Sequence, residues 1–511
     1  MNPGFSPRQW VQAAAVAVLG VLMYPPFHLI LPSFIALVPF IWLLESTRQE
    51  GHPDRRAALI GFCTGALTNG LGLWWMAVAL YRFSPLSAIG YVLAVGVIAA
   101  WWGVTSWAVV LIWRRTPGVP RWVVFTCCWT AMEWLVGHSG DLAFPWLGLG
   151  TSLTGYPILV QWADIAGARG VTFWLAACNA LLATTGSKAR RAQALVAVSV
   201  AVAMAYGVWR ESSLAVRPLG AVALVQPNVS LERGSAPEAG DGIFRSLLEQ
   251  SRASLATGDP GLIIWPEASL PGYLGAHPDW SSGVTAFARR YHRSVLLGGM
   301  DVILDGKSGF DVYNAAFLYD STGVRSVYHK NHLVPLVEQI PFLPARWTQG
   351  IHGLGSFEPG LTAPILHAPP GGFGVLICFE STFESVARSY RRRGADFLVN
   401  IVNDEWLRST PAASQHAAHL VMRAIETRAA IVRVANSGIS ETIDPLGVVT
   451  VHTDMNTRRT LVQPIETTDV IPLYVRWGDW VGLMVLLATG GLGIFACFES
   501  REGEAKTSGG R

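Results

Sequence analysis

The run Gly372-Phe-Gly-Val-Leu-Ile-Cys-Phe-Glu-Ser381 decides how the polar part of this chain is read. Val375, Leu376 and Ile377 form a short apolar run bounded by glycine, which reads as a buried strand, and Cys378 stands where it ends. Strand ends are where α/β folds build their sites. Five of the six cysteines (Cys63, Cys127, Cys128, Cys178 and Cys497) lie in long apolar runs, so Cys378 has no disulfide partner in the polar part. A lone thiol at such a place suits a nucleophile. It also suits a small buried hydrophobe, because free cysteine is among the most buried residue types.

Around this window the chain is unusually apolar. Of 511 residues, 51% are hydrophobic and only 14% charged, against about 25% charged in soluble domains, and the mean hydropathy is +0.35. This is the composition of a membrane protein. The apolar runs fall at about 11–24, 27–45, 57–81, 86–113, 122–138, 168–185, 192–209 and 476–498, most of them near the roughly 20 residues a bilayer core requires. About eight transmembrane helices are expected. Three segments follow: 1–216 with seven spans, a soluble domain at 217–468, and 469–511 with the eighth span and a tail. The first run follows Arg8 and leads into Pro25-Pro26 with no small-residue cleavage site, so it reads as a span rather than a signal peptide.

Positive charge sets the orientation. Arg48, Arg55 and Arg56, then Arg114, Arg115 and Arg121, then Lys188, Arg190 and Arg191, and finally Arg501, Lys506 and Arg511 occupy alternate loops and the C-terminal tail, whereas the intervening loops carry little beyond Arg82 and Arg169. Both termini are therefore expected in the cytoplasm, and the domain at 217–468 on the opposite side, the periplasm of a bacterium. Glu133 lies inside the fifth span. An ionisable group there is a functional candidate by default, although its place near the span's end also suits snorkelling to the interface.

From Arg217 the pattern changes to short apolar strands (221–225, 262–265, 295–299, 397–402) alternating with stretches of helical spacing (242–257, 282–292, 382–392, 412–428). That alternation over about 250 residues predicts a layered α/β domain. No Cys/His cluster has zinc spacing; His416 and His419, four residues apart, are too few for a metal site. Three polar groups stand at strand ends: Glu267 after Leu-Ile-Ile-Trp-Pro, Lys330 in Tyr-His-Lys-Asn-His-Leu-Val-Pro, and Cys378. A thiol is only a few per cent thiolate at neutral pH and needs a base, for which Glu267 is the candidate. The oxyanion of acyl transfer needs a positive charge, which Lys330 can supply.

These phrases resemble the Glu-Lys-Cys triad of the carbon-nitrogen hydrolase (nitrilase) superfamily. Spans before and after the domain, Lys-Asn-His-Leu-Val-Pro followed by Glu338, Asn403-Asp-Glu-Trp406, Arg423-Ala-Ile-Glu426, Asn436-Ser-Gly438 and Phe144-Pro-Trp146 extend the resemblance to the apolipoprotein N-acyltransferase family over nearly the whole chain. The resemblance implies an α-β-β-α sandwich in the periplasm, on a multi-pass protein of the bacterial inner membrane. It implies transfer of an acyl chain from a phospholipid, typically phosphatidylethanolamine, to the α-amino group of the diacylglyceryl-cysteine of apolipoproteins, in two steps through a cysteine thioester. No cofactor, metal or nucleic acid is implied, and a monomer is expected. Cys378 would be the nucleophile, Glu267 the base and acid, and Lys330 the oxyanion stabiliser, with Glu338 and Glu380 in support, Phe379 following the nucleophile, and Trp406 beside the substrate.

The chain departs from the family pattern in places. Val337 replaces a glycine before Glu338, Phe379 a tyrosine, and Glu405, Leu407 and Arg408 replace Ala, Phe and Gly around Trp406; the tryptophan usual after the first strand is missing from Val229 to Gly242. The apolar, glycine-rich segment 342–360 suits a lipid-facing lid, or side chains that fill the core. Two rivals stand beside acyl transfer: a membrane-anchored amidase or nitrilase, in which water resolves the thioester, and a transporter or scaffold with an inactive domain.

Overall fold

The computed structural model describes all residues except 1–4, 50–51, 82–86, 231, 233–238, 305–309, 348–356, 408–409 and 509–511. The chain divides into two units, one of residues 1–81, 86–209 and 479–511, the other of residues 82–85 and 210–478.

Alternation along two strands sets the layers of the second unit. Val222 and Leu224 of β1 (Arg217–Gln226) and Leu262 and Ile264 of β2 (Leu262–Ile264) join one core cluster, together with Val375 and Ile377 of β7 (Gly371–Ile377) and Val399 and Ile401 of β8 (Phe397–Val402). Their neighbours Ala223, Val225, Ile263 and Trp265 pack the other way, against Ile243 and Leu247 of the helix Gly240–Thr257 and Trp280 and Val284 of the helix Pro278–Tyr291. Period-two strands buried on both faces are the reason these segments read as continuous apolar runs. Each such side chain contributes about 1.5–3 kcal/mol of burial.

Two six-stranded sheets result. The first has the order β12-β1-β2-β3-β4-β5, where β3 is Ser294–Leu304, β4 Phe310–Asp320, β5 Gly323–His329 and β12 Arg459–Thr467. The second has the order β11-β10-β9-β8-β7-β6, where β6 is Leu366–Ala368, β9 Ala430–Ala435, β10 Glu441–Ile443 and β11 Val449–His452. Helices Glu384–Arg392 and Pro411–Thr427 pack on the second sheet, completing a helix–sheet–sheet–helix sandwich. β1, β2 and β3 run parallel, and so do β7, β8 and β9. β5 is antiparallel to β4, which is antiparallel to β3, so β2, β3 and β5 all end on one edge.

Arg391 stands in the last turn of the helix Glu384–Arg392. It is buried, and its guanidinium donates to the carbonyls of Ala395, Thr427, Thr468 and Val470, pinning the chain that leaves β12.

In the first unit and the helix that leaves it, four helices among the described residues are long and apolar enough to cross a membrane: Ile89–Arg115, Ala163–Leu182, Gly186–Ser213 and Trp480–Phe498. The other apolar runs form shorter or less apolar helices. The 27–45 run is split into Ile30–Ile35 and Val38–Ser46, the second opened by Pro39; Pro53–Gly72 carries Asp54, Arg55 and Arg56 in its first turn; Pro7–Leu22 and Arg121–Gly137 have 16 and 17 residues.

Glu133 does not reach out to an interface. It is buried, with Oε1 accepting from Trp129 Nε1 at 3.1 Å and the Leu149 N–H at 2.8 Å, and Oε2 from Arg169 at 3.1 Å and the Thr172 hydroxyl at 2.8 Å. A buried carboxylate so fully satisfied ties three segments of its unit together.

Candidate active site

The topology delivers Glu267, Lys330 and Cys378 from three strand ends, β2, β5 and β7, and all three side chains are buried. Lys330 Nζ lies 3.6 Å from Glu267 Oε1. Cys378 lies within electrostatic reach of both.

Glu267 sits in a turn moulded on β3. A Cβ on Gly298 would come within 2.5 Å of the Pro266 oxygen and 2.6 Å of Glu267 Cα, so only glycine lets the two backbones approach this closely. The Gly298 N–H donates to Pro266 O, and the Ser269 N–H and hydroxyl donate to Gly298 O. The carboxylate itself accepts from Asn314 Nδ2 at 2.7 Å and from the Asn403 N–H at 2.8 Å. Burial raises the Glu267 carboxyl above its ordinary value; Lys330 pulls it down and Glu338 pushes it back up. Such a carboxyl is a stronger proton acceptor than an exposed one.

Lys330 is fixed mainly by Glu338, at 2.9 Å from Oε1 and 2.7 Å from Oε2. Burial alone would lower the Lys330 ammonium, but Glu338 and Glu267 outweigh it and hold its pKa above the ordinary value, so the cation persists. Glu338 Oε2 accepts from the Val334 N–H at 2.8 Å, and Oε1 shares the Asn314 amide at 2.9 Å.

Cys378 follows β7 with φ +50°, a left-handed conformation that costs a non-glycine residue about 1–3 kcal/mol. Glu380 holds this turn. It accepts from the Ile377 N–H at 2.8 Å through Oε2, and from Tyr328 Oη, the Asn331 N–H and the His332 N–H at 2.7, 2.7 and 3.1 Å through Oε1. One carboxylate thus ties the thiol's turn to the chain that carries Lys330. Burial and the Glu267 charge keep the thiol well above its ordinary pKa, with Lys330 opposing, so sulfur rests protonated until a base takes its proton. The arrangement supplies a thiol, a carboxylate and an ammonium in a site shielded from water.

The other expected residues fall as follows. Phe379 is buried edge-on against Phe383 at 5.1 Å, a packing role open to a phenylalanine. Trp406 is half-buried in the short turn Asp404–Leu407 after β8; Arg408 lies outside the described residues. Of segment 342–360, residues 348–356 lie outside the described residues, but Phe342, Leu343 and Trp347 are exposed rather than in a core. The segment's return is clipped to the site: the Phe357 N–H donates to Glu338 O and the Gly360 N–H to Lys330 O.

Two features escaped the sequence reading. Asn314, inside β4, donates to both carboxylates; its only signal was a polar residue beside the apolar run Ala315–Leu318. Behind Cys378 lies a buried group of Asn400, Asp404, His416 and Arg433. Arg433 donates to Asp404 Oδ2 at 2.7 Å and Asn400 Oδ1 at 2.6 Å. His416, set aside as half of a poor metal pair, puts Nε2 3.0 Å from the Cys378 carbonyl. Among the described residues no cluster of His, Cys, Asp and Glu suits a metal ion.

Residues 16–181 match the family described as apolipoprotein N-acyltransferase N-terminal domain, and residues 221–473 match carbon-nitrogen hydrolase. The apolipoprotein N-acyltransferase of Geobacter metallireducens is 30% identical over 490 residues, covering 92% of each chain. That of Gloeobacter violaceus is 31% identical over 485 residues, covering 90% of this chain and 88% of its own. Among solved structures, Saccharomyces cerevisiae Nit3 of the nitrilase superfamily is 20% identical, with a TM-score of 0.37 over 49% of this chain and 90% of its own.

Proposed function

The chain belongs to the apolipoprotein N-acyltransferase family, and from that premise we propose that it works through a thioester on Cys378. It is an acyltransferase of lipoprotein maturation, with lipoproteins and phospholipids as its substrates. In the first step Glu267 takes the thiol proton as sulfur attacks the ester carbonyl of a phospholipid. Lys330 offsets the oxyanion, the carbon–oxygen bond breaks, and protonated Glu267 returns the proton to the departing lysophospholipid oxygen. In the second step the free α-amine of a diacylglyceryl-cysteine attacks the thioester. Glu267 accepts the amine proton, an amide forms, and the thiol is regenerated.

One observation carries this reading: Glu267, Lys330 and Cys378 are buried together at converging strand ends, with Glu338 and Asn314 holding the first two. Glu338, Glu380 and Phe379 support the triad, and Trp406 stands beside the substrate. The finer expectations belong to the same proposal: phosphatidylethanolamine as donor, a monomer, about eight spans in the inner membrane, both termini cytoplasmic, and residues 217–468 as a periplasmic domain between membrane segments 1–216 and 469–511. The alternation of positively charged loops supports that orientation. Hydrolysis of small amides is the weaker reading, because the N-terminal family match has no part in it.

Intact mass spectrometry tests the proposal. Incubated with phosphatidylethanolamine alone, the protein gains one acyl chain on Cys378, and a diacylated lipopeptide removes it. Cys378→Ser yields no thioester, and Glu267→Gln forms the adduct at a small fraction of the normal rate. A normal adduct in Glu267→Gln would remove the glutamate from its role as base.

A further inference from the structure

The buried group beneath the nucleophile has a geometry that a packing role does not require. His416 Nε2 lies 3.0 Å from the carbonyl oxygen of Cys378. A carbonyl only accepts, so Nε2 carries the hydrogen, and in the neutral ring Nδ1 is then an acceptor. Nδ1 lies 3.4 Å from an Arg433 Nη2 that can donate to it and 3.4 Å from Asp404 Oδ1, while the same Nη2 donates to Asp404 Oδ2 at 2.7 Å. Burial and Arg433 lower the His416 pKa, outweighing Asp404 and the Cys378 carbonyl, which raise it, and so favour the neutral ring. Burial alone would raise the Asp404 carboxyl, but chiefly the Arg433 guanidinium holds it below its ordinary value, so the Asp404–Arg433 pair stays ionised.

Two links run from this group into the site. The first is the hydrogen bond to the Cys378 carbonyl. Cys378 has φ +50°, and the peptide that follows it is planar, so holding the carbonyl on His416 fixes which way the Phe379 N–H points, opposite to the carbonyl. The second runs through the main chain. Asp404 directly follows Asn403, whose N–H donates to Glu267 at 2.8 Å. Gly438 lets the neighbouring loop close on this turn, since a Cβ there would lie 2.3 Å from Asp404 Oδ2. Nucleophile and base are therefore referenced to one buried ion pair.

We infer that His416, held by Asp404 and Arg433, is a positioning residue for the reaction: it locks the peptide plane of Cys378 while the same cluster fixes the turn that presents the Asn403 N–H to Glu267. This rests on the reading of Cys378 as the acylated nucleophile. Losing the hydrogen bond to a buried carbonyl slows acylation without weakening lipid binding, because His416 reaches the nucleophile's peptide and not the substrate.

The full-length protein in detergent is mixed with phosphatidylethanolamine over a range of concentrations, and thioacyl formation is followed by intact mass. His416→Leu should lower the saturating rate about 10- to 100-fold and leave the half-saturating lipid concentration within about twofold. His416→Gln, whose amide N–H reaches the same carbonyl, should recover to within about fivefold of wild type. Asp404→Asn keeps the volume and removes the charge; it should show the same loss of rate at unchanged half-saturation, and it stands in for His416→Leu if that variant does not fold. The inference is overturned if His416→Leu, or Asp404→Asn in its place, acylates at the wild-type rate. It is equally overturned if Gln and Leu at 416 lose activity alike. Absence of an adduct in wild type, or an adduct in Cys378→Ser, overturns instead the reading of Cys378 on which it rests.

Discussion

Lys330 Nζ closes to 2.7 Å on Glu338 Oε2, and this pair, not Lys330 with Glu267, is the tight ion pair of the site. Lys330 is thereby held as a cation without neutralising the base. A carboxylate paired directly to an ammonium loses proton affinity; Glu338 takes up most of that pairing, so Glu267 stays above its ordinary value.

Glu338→Gln therefore acts on the base. The Glu338 charge raises the Glu267 pKa and Lys330 lowers it; removing the first and freeing the second both lower it. A base works when deprotonated, so the acid limb of thioacyl formation should move to lower pH while the plateau rate falls about tenfold or more. An acid limb that stays in place would show that the two carboxylates are not coupled.

Asn314→Leu should move the same limb the other way. The Asn314 amide lowers the Glu267 pKa by donating to it at 2.7 Å, so its loss raises that pKa and shifts the limb to higher pH. Leaving two buried carboxylates short of a donor also costs about 1–3 kcal/mol of stability. Matching pH profiles for Asn314→Leu and Glu338→Gln would contradict the opposite signs.

Gly298→Ala tests the close approach behind the base. The added methyl meets backbone atoms at 2.5 and 2.6 Å, which cannot rotate away, so the Glu267 turn must shift. Displacement approaching 1 Å costs about 100-fold in rate, and the overpacking costs about 1–3 kcal/mol. A variant with wild-type melting and wild-type acylation would show that the turn yields freely.

Glu441 carries the clearest dependence of stability on pH. It lies opposite Arg433 in the β9–β10 register, and its Oε1 is buried with no hydrogen-bond partner among the described residues. Burial raises its carboxyl to about 7, with Arg433 opposing and Asp404 adding. The folded state then binds a proton that the unfolded state releases near the ordinary glutamate pKa. Stability is fully present below about pH 4.3 and is lost as pH rises towards 7. Glu441→Gln should raise the melting temperature by several degrees at pH 8 and change it little at pH 5; equal shifts at both would rule out ionisation as the cause.

What the sequence disclosed and what it hid follow from how local each signal is. Glu267, Lys330 and Cys378 each follow a strand, apolar in β2 and β7 and the second arm of a hairpin in β5, and a strand end is visible in a window of ten residues. A layered α/β domain was legible for the same reason, through alternation of strands and helical stretches, whereas the two-sheet sandwich was implied by the family resemblance. Asn314 was not, because its significance lies in two carboxylates 24 and 47 residues away. His416 and Arg433 meet Cys378 and Asp404 only once β7, β8 and β9 are in register, and nothing in their own neighbourhood announces it. Glu133 was legible as an oddity within an apolar span, but its four partners reside on three separate segments. Hydropathy located the apolar runs and overstated the continuity of two of them: 27–45 breaks into Ile30–Ile35 and Val38–Ser46, the latter opened by Pro39, and 57–81 breaks between Pro53–Gly72 and Trp75–Tyr81.

The protonated resting state of Cys378 has a bearing on the enzyme's durability. Peroxide and foreign disulfides attack thiolates far faster than thiols, and here burial and the Glu267 charge disfavour the anion. The resting sulfur is thus kept in its less reactive form, which lowers its exposure to oxidative loss.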